Sequence, residues 1–392
     1  MSLRDKILAE IRAGGPIPFS RYMELCLYDP QQGYYSRNAE QFGKAGDFYT
    51  SSDVHAVFGR LLARQFEEMW RVLGSPEKIE ILELGPGRGL FARDVLDWSE
   101  KRFPEFFEAV HYSLSEQSGA LRERLQVTLD RHFAAGKVSF PRRLEPPTSG
   151  GLYGMAEAVP SRVPIIVFAN EFFDALPVEV LSRQGELRIG EKDGRLVEGW
   201  VLPSAENLEY LDRYGVQPDD GERVETGRIA QDYMSQLAAG IQRGFIVVVD
   251  YGYTRPEQLA GRHRGTVTAY RQHSVSGTPY EAPGEQDITA HVNFTALAAA
   301  AERHGMDAQP LLTQSQFLMG IGEPNQFADA FEDCRLPQEQ AKVALQLKHL
   351  VTPAGLGESF HVLVASKGVA ADQVDTLGGF SFDSTALPRS RP

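Results

Sequence analysis

The sequence predicts an α/β fold in which an open, mostly parallel sheet carries helices on both faces. Residues 164–169 and 245–249 are continuously apolar, which is typical of parallel strands covered on both sides. From residue 79 onward, strand patterns alternate with helical patterns, as in a doubly wound sheet. The chain of 392 residues is 42% hydrophobic and 24% charged, so it has enough apolar residues to bury a large core around such a sheet.

The N-terminal part of the chain has the pattern of short helices separated by proline and glycine. Apolar residues at helical spacing predict helices over 3–13, 20–27 and 54–73. Residues 43–52 are rich in glycine, serine and aspartate and are predicted to form a loop. We expect residues 1–74 to form a helical region whose loop closes over a ligand as a lid.

Strand and helix patterns then follow one another along most of the remaining chain. The predicted strands lie at 79–84, 111–114, 164–169, 245–249 and 359–366. The predicted helices lie at 90–101, 118–133, 294–304, 325–333 and 337–350.

Residues 176–225 depart from this alternation. Apolar and polar residues alternate there around the Gln-Gly pair at 184–185 and the Asp-Gly pair at 193–194, which predicts antiparallel hairpins. We therefore expect an inserted β-rich cap at the carboxyl edge of the sheet. The predicted division of the chain is a helical region at 1–74, a core at 75–175 and 226–368, a cap at 176–225 and a flexible tail at 369–392.

The charge and hydropathy of the chain exclude some partners. Lys and Arg number 40 and Asp and Glu number 53, which gives a net charge of −13. Such an acidic chain lacks the positive surface that grips a polyphosphate backbone, so we expect no nucleic-acid partner. The longest apolar runs have only the length of strands, so we expect no membrane insertion.

The cysteines are too few for a disulfide framework. Cys26 and Cys334 stand alone and in no zinc-ligand spacing. We therefore expect no metal site and, because sparse free thiols are typical of a reducing compartment, a cytoplasmic location.

A glycine-rich segment, ELGPGRG, lies directly between the strand predicted at 79–84 and the next helix. Glycine permits a sharp turn and lets a ligand approach the main chain, while the helix N-terminus offers free N–H groups. A dinucleotide fingerprint would require glycine at position 90, where Leu90 stands, so a nicotinamide-dependent dehydrogenase is disfavoured. The E-x-G-x-G-x-G pattern instead resembles the first motif of class I S-adenosylmethionine (SAM) methyltransferases. In that pattern Gly85, Gly87 and Gly89 border the cofactor and Glu83 receives its methionine ammonium.

Polar residues also follow two other predicted strands. Glu116 ends the segment HYSLSE, where a carboxylate in sheets of this topology accepts ribose hydroxyls. The alternative is that Glu116 only caps the helix that follows. Asn170, Glu171 and Asp174 come after the apolar strand at 164–169, beside two aromatic residues. They either orient a methyl acceptor or simply begin a loop.

The chain as a whole resembles the MidA family of SAM-dependent protein methyltransferases. This family includes mitochondrial factors for respiratory complex I assembly and many bacterial proteins. The resemblance rests on a series of strings in order, namely FSRYMELCLYDPQQGYY, GDFYTSS, the glycine segment, ANEFFDALPV, DYG and DITAHVNF. Two departures are Pro86 and Asn293, where the family more often has alanine and aspartate.

This resemblance implies a class I methyltransferase fold, with a Rossmann-like sheet of seven strands of which the last is antiparallel. It implies SAM as the cofactor, bound also by Asp47 and Thr50 of the lid and by Asn170. The implied substrate is a protein side chain, arginine, which in mitochondrial members belongs to a complex I subunit. Glu171 and Asp174, with Asn170 as an orienting amide, suit a guanidinium, because that group stays charged to a pKa above about 12 and must be desolvated and held in plane.

Other functions remain open on the sequence. The chain is alternatively a non-catalytic SAM-binding assembly chaperone for a respiratory subunit, or a methyltransferase that acts on a small molecule. A homodimer is also left open. His291, within DITAHVNF, is either a hydrogen-bonded packing residue or a base.

Overall fold

The computed structural model describes residues 1–36, 56–141, 163–271, 274–276 and 278–382. Seven strands form the main path of its central sheet. They are β1 (Ile79–Leu84), β2 (Val110–Ser115), β3 (Val138–Ser139), β4 (Ile165–Asn170), β5 (Gly244–Tyr253), β6 (Asp307–Ala308) and β7 (Phe360–Lys367). Their spatial order is β3-β2-β1-β4-β5-β7-β6.

The first five of these strands are parallel, and β7 runs antiparallel between β5 and β6. The predicted sheet of seven strands with an antiparallel last strand is therefore confirmed. Two further short strands, Val292–Asn293 and Leu312–Thr313, pair with β5 and β7. The chain moves from β1 to β2 and β3 in one direction and then returns to place β4 on the other side of β1. The carboxyl ends of β1 and β4 thus flank the point at which an open α/β sheet binds its ligand.

Helices cover both faces of the sheet, and side chains of alternate strand residues enter two separate cores. On β1, Ile79 and Ile81 pack on the side of the helices Ala56–Val72 and Leu90–Arg102. Leu82 and Leu84 face the opposite core. The helices span Leu3–Gly14, Phe19–Tyr28, Ala56–Val72, Leu90–Arg102, Pro104–Ala109, Gly119–Thr128, Asp130–Ala134, Ala205–Tyr214, Arg228–Gly240, Arg255–Leu259, Phe294–Glu302, Gln314–Gly322, Ala328–Phe331, Pro337–Val351 and Ala371–Val374.

Two predicted helices differ from those in the structure. The helix predicted over 118–133 is split at Leu129, whose φ of −113° and ψ of 22° leave the helical region. The helix predicted over 325–333 is reduced to Ala328–Phe331. Gln326 and Phe327 adopt left-handed conformations with φ of 56° and 55°, and a right-handed helix cannot continue through them.

The region 176–225 contains a second, antiparallel sheet. Its strands are Glu179–Ser182, Gly185–Lys192, Arg195–Val201 and Val224–Thr226, and the N-terminal strand Ile17–Pro18 joins them. The region also contains the helix Ala205–Tyr214, which the alternating pattern did not predict. A third sheet consists of the short strands Thr268–Arg271, Ser274–Val275 and Asp287–Thr289.

The N-terminal helices and the second sheet share one apolar core. Ile7 and Tyr22 of the helices pack there with Leu187 and Ile189 of the sheet. The N-terminal region also reaches the carboxyl edge of the central sheet, because the hydroxyl of Tyr28 lies near the residues that follow β4. Within the described ranges, none of the helices has the length and apolar character required to cross a lipid bilayer.

Candidate functional site

The turn after β1 carries glycine at three alternate positions. Gly85, Gly87 and Gly89 have φ values of 61°, 51° and 74°, a region that other residues rarely adopt. A Cβ on Gly89 would also lie 2.6 Å from a methyl carbon of Leu125. The turn ends at the helix Leu90–Arg102, so main-chain N–H groups of the first helical turn are available for a ligand.

Glu83 lies at the end of β1 beneath this turn and is almost completely buried, with 5% of its surface exposed. The hydroxyl of Tyr112 donates a hydrogen bond to its Oε2 at 2.8 Å. Burial raises the pKa of Glu83 to about 8, since the surrounding protein disfavours an unpaired charge. A cation bound beside this carboxyl group would favour its ionised form.

Glu116 follows β2 and is held by the backbone of its own turn. The N–H groups of Gln117 and Ser118 each donate to its Oε1 at 2.7 Å. Burial raises the pKa of Glu116 to about 7, against the effect of these two bonds. The next helix is capped by Ser118, whose side chain accepts from the N–H of Leu121. The side chain of Glu116 is therefore not the cap of that helix.

Asn170 is the last residue of β4, and Glu171 follows it in a left-handed conformation with φ of 50°. Such a conformation is unfavourable for a residue with a side chain and is often found where a site requires it. The Nδ2 of Asn170 donates to Oε1 of Glu171 at 3.1 Å. The Oδ1 of Asn170 is buried and accepts no hydrogen bond from the described residues.

Asp174 is the second carboxylate of this segment and is 5% exposed. Its Oδ2 accepts a hydrogen bond from the hydroxyl of Tyr251, while its Oδ1 is buried and has no hydrogen-bond partner within the described ranges. Burial raises the pKa of Asp174 to about 6. Buried polar atoms are nearly always hydrogen-bonded in folded proteins, so this oxygen and Oδ1 of Asn170 are acceptors that a ligand with donors would satisfy.

Asp250, on β5, binds the backbone of the same segment through its carboxyl group. Its Oδ2 accepts from the N–H groups of Phe173 and Asp174 at 3.0 and 3.3 Å, and its Oδ1 accepts from that of Tyr251 at 2.9 Å. Asp250 is fully buried. Burial, and then the charges of Asp174 and Glu171, raise the pKa of Asp250 well above its usual range. Because all these bonds are to the backbone, its carboxyl group shapes the site.

The glycine turn and the segment after β4 lie side by side. A Cβ on Gly85 would lie 3.1 Å from the ring of Phe172, so this ring borders the turn. Phe172 also packs against Tyr233, with 5.2 Å between ring centroids. Neither aromatic residue was predicted as part of the site from the sequence.

Tyr28, at the end of the second N-terminal helix, lies close enough to Asp174 and Glu116 to feel the charges of both. Its hydroxyl donates to the carbonyl of Ala175 at 3.0 Å. Burial, followed by the charges of Asp174, Asp287 and Glu116, raises the pKa of Tyr28. Helical periodicity could not have identified this residue, but it lies within the string FSRYMELCLYDPQQGYY, and position within such a string was the available signal.

Two other predicted residues, Asp47 and Thr50, lie outside the described residues. His291 contacts the ring of Tyr251 edge-on and has its Nδ1 3.0 Å from Nδ1 of His263. Burial lowers the pKa of His291 to about 4, so it is neutral at pH 7. In the part of the chain that the structure describes, no group of three or more His, Cys, Asp or Glu side chains is arranged to hold a metal ion.

Comparison with known proteins gives matches over most of the chain. The sequence profile of a family of S-adenosyl-L-methionine-dependent methyltransferases matches residues 61–311. The Drosophila melanogaster "Protein arginine methyltransferase NDUFAF7 homolog, mitochondrial" is 29% identical over 401 residues, which cover 97% of this chain and 89% of the relative. The Homo sapiens "Protein arginine methyltransferase NDUFAF7, mitochondrial" is 26% identical over 376 residues, with 91% and 81% covered.

A solved structure is also similar along almost its whole length. It is that of a Burkholderia thailandensis protein bound to S-adenosyl-homocysteine, with a TM-score of 0.78 and 29% identity, covering 98% of this chain and 96% of that one. The two curated relatives are named as mitochondrial proteins, which contradicts the predicted cytoplasmic location. That prediction relied on sparse free thiols, which do not distinguish one reducing compartment from another.

Proposed function

Because the chain belongs to this family of S-adenosyl-L-methionine-dependent methyltransferases, we propose that it methylates an arginine side chain of a protein. The sequence-based resemblance to SAM-dependent methyltransferases of the MidA type, and SAM as the cofactor, are confirmed by the family match and by the related structure with S-adenosyl-homocysteine. Relatives named as protein arginine methyltransferases support a protein as the substrate.

The observation that carries the arginine assignment is the pair of buried oxygens without partners, Oδ1 of Asn170 and Oδ1 of Asp174. Both atoms can only accept hydrogen bonds at neutral pH, so a ligand that reaches both must bring several donors. A guanidinium presents five N–H donors in one plane, whereas a lysine ammonium presents three around a point charge. Asn170 and Asp174 place two acceptor oxygens on one short segment, with Glu171 between them in sequence. This arrangement matches the planar guanidinium better than it matches the lysine ammonium.

The cofactor part of the proposal assigns SAM to the glycine turn. The turn fits this cofactor because its three left-handed glycines carry no Cβ and the helix that follows offers free main-chain N–H groups in its first turn. Glu83 would receive the methionine ammonium and Glu116 the ribose hydroxyls. We also assign Asp47 and Thr50 to the lid side of this cofactor. When bound, SAM supplies a methyl group on a sulfonium that is open to in-line attack.

The acceptor part of the proposal assigns the guanidinium to Asn170, Glu171 and Asp174. The buried site desolvates the guanidinium, while the carboxylates hold its plane and concentrate electron density on one nitrogen. Asp174, with a pKa raised to about 6 by burial, is ionised at pH 7 and above. In-line transfer depends mainly on positioning, which is worth up to roughly 7–11 kcal/mol in well-aligned cases.

We propose a subunit of respiratory complex I as the first substrate to test, because the family resemblance implies that substrate for mitochondrial members. A homodimer is part of the same proposal and is tested by light scattering of the purified chain.

The rival hypothesis is an assembly chaperone that binds SAM without transferring its methyl group. Mass spectrometry of the bound subunit with and without SAM separates the two, since only the enzyme adds 14 Da per methyl group, roughly the mass of a CH₂ unit.

The role of Glu171 gives the mutational test. Glu171→Gln removes one negative charge from the acceptor side, so we expect arginine methylation to fall at least about 100-fold while SAM affinity stays within about twofold. Calorimetric titration with SAM and mass spectrometry of the product measure the two quantities.

Glu209→Gln is the matched control, because Glu209 is 58% exposed on the helix Ala205–Tyr214 and pairs with Arg213. It should change neither quantity. Equal loss of SAM binding and turnover in Glu171→Gln would contradict the assignment of Glu171 to the acceptor.

A further inference from the structure

Two consecutive residues at the end of β5 hold Asp174 through both its main chain and its side chain. We propose that Tyr251 is a positioning residue that aims Asp174 at the methyl acceptor and keeps its carboxylate ionised. This inference rests on the proposed function, in which Asp174 binds the guanidinium. Tyr251 does not touch either substrate in this scheme and acts through Asp174.

The first step concerns the two carboxylate oxygens of Asp174, which differ in their hydrogen bonding. The hydroxyl of Tyr251 donates to Oδ2 of Asp174, and Oδ1 is the oxygen that has no hydrogen-bond partner among the described residues. A carboxylate held at one oxygen has little freedom to rotate. The hydrogen bond from Tyr251 therefore fixes the orientation in which the second oxygen is presented to a ligand.

The second step is the rigidity of the donor. The ring of Tyr251 meets His291 edge-on at 5.4 Å and Phe360 edge-on at 5.5 Å between centroids, each with an interplanar angle of 79°. Its main-chain N–H is bound to Asp250, which also holds the N–H of Asp174. The position of the hydroxyl is thus fixed by β5, which carries Tyr251, and by Phe360 of β7. Asp174, on the loop after β4, accepts its hydrogen bond at that fixed position.

The third step concerns charge. Burial and the charge of Asp174 raise the pKa of Tyr251, so its hydroxyl remains protonated and a donor at neutral pH. A hydrogen bond to the ionised form lowers the pKa of a carboxyl group. The titratable groups that surround the pair are Glu171 on the same segment, Asp250 on β5, Tyr28 and Tyr35 of the N-terminal region, Asp287, and His291.

None of these groups is a cation at neutral pH, since burial lowers the pKa of His291 to about 4. Burial is the main cost of a negative charge on Asp174. Among the described side chains, the hydroxyl of Tyr251 is the donor placed to offset that cost before the substrate arrives. Its loss should raise the pKa of Asp174 from about 6.

Tyr251→Phe tests this inference, because it removes the hydroxyl and keeps the ring. We expect the pKa of Asp174, followed by carbon NMR of its carboxyl group in the free protein, to rise by about one unit. The acid limb of kcat/KM for arginine methylation should move up by the same amount, so that the variant reaches near pH 7.5 the fraction of its maximal activity that the wild type has at pH 6.5. SAM affinity should stay within about twofold.

Tyr253→Phe is the matched control. Tyr253 lies two residues further along the same strand, and its hydroxyl contacts Gln258 and Asn293 rather than Asp174. It should leave both the carboxyl titration and the pH profile unchanged.

An unchanged pKa of Asp174 in Tyr251→Phe would overturn the inference. So would an activity loss that is equal at all pH values, because that result indicates a merely structural role. If the wild-type protein modifies no arginine, the proposed function fails, while the NMR titration still decides whether Tyr251 controls the carboxylate.

Discussion

Glu83 combines deep burial with a single strong hydrogen bond from Tyr112, and this has consequences for cofactor binding. Because burial raises its pKa to about 8, Glu83 is protonated at pH 7 in the free protein. If it receives the SAM ammonium, binding must ionise it. We therefore predict that SAM affinity rises about tenfold per pH unit between pH 6 and 7.5 and levels off above pH 8. Calorimetric titration over this range measures the change.

Glu83→Gln should abolish this pH dependence, because an amide does not titrate. Glu80→Gln, on the opposite face of the same strand and bonded to Ser113, is the control and should preserve it. The same pH dependence in wild type and Glu83→Gln would show that another group is responsible.

The raised pKa of Glu83 also affects the stability of the fold. This stability falls as pH rises, whereas the affinity for SAM rises with pH. A carboxyl group with a raised pKa binds its proton more tightly in the folded state, so stability is lost as pH rises from about 4.5 to about 8. We predict that Glu83→Gln is more stable than wild type at pH 9 by at least about 1 kcal/mol. Urea unfolding at pH 5 and pH 9 measures this difference, and an equal effect of the mutation at both pH values would contradict it.

Some site residues could be predicted from sequence and others could not, for a physical reason. Glu83, Glu116 and Asn170 stand next to strand ends, and parallel strands bring their carboxyl ends to one edge. Tyr28 and Tyr251 enter the site through contacts between segments more than a hundred residues apart. Such contacts leave no periodic signal in the sequence.

At the level of elements, the glycine turn is the most constrained part of the site. Gly89→Ala places a Cβ 2.6 Å from Leu125 and 3.2 Å from Leu129, both fully buried, at a φ of +74°. We predict a loss of about 2 kcal/mol in stability and a weaker SAM affinity, because the turn must shift. Chemical unfolding and calorimetric titration measure the two effects.

Gly136→Ala separates backbone strain from steric overlap. Gly136 has a similar φ of +70°, but a Cβ there meets nothing within 4 Å. This control should cost about 1 kcal/mol and leave SAM affinity unchanged. Equal effects of the two substitutions would show that contact with the leucines is unimportant.

The sequence predicted some elements at their observed bounds and missed others. The strand predicted at 79–84 agrees with β1 at both ends, because apolar side chains serve two cores from one short segment. The helix Arg228–Gly240 was not predicted, although its buried residues follow helical spacing. The helix Ala205–Tyr214 interrupts a region whose alternating pattern indicated only strands.

At the scale of the whole molecule, the N-terminal helices and the cap depend on each other. The strand Ile17–Pro18 pairs with Gly185–Lys192, and Arg12 forms an ion pair with Glu191 at 2.6 Å. The division into a unit at 1–74 and a cap at 176–225 remains a prediction. The core shared by the first two helices and the cap strands predicts that these segments unfold together, whereas the helix Ala56–Val72 packs in the core of the central sheet.

Ile189→Ala tests this coupling, since Ile189 is fully buried between the two regions. We predict a loss of about 2–4 kcal/mol and faster hydrogen exchange in both the N-terminal helices and the cap strands, with β1 unaffected. Val197→Ala, at a 36% exposed position on the adjoining strand, should cost less than about 1 kcal/mol. Faster exchange in the cap alone would contradict the coupling.

The placement of β7 has one further consequence. This strand is the last of the sheet along the chain, yet it enters between β5 and β6 and supplies Phe360, against which Tyr251 rests. A ribosome-bound chain that has not yet reached residue 360 would leave β5 with an unpaired edge. It would also lack Phe360, the ring that supports Tyr251 beside Asp174. Methyl-transfer competence should consequently appear late, as a property of the finished polypeptide, and an incomplete translation product would carry the glycine turn without an ordered acceptor side.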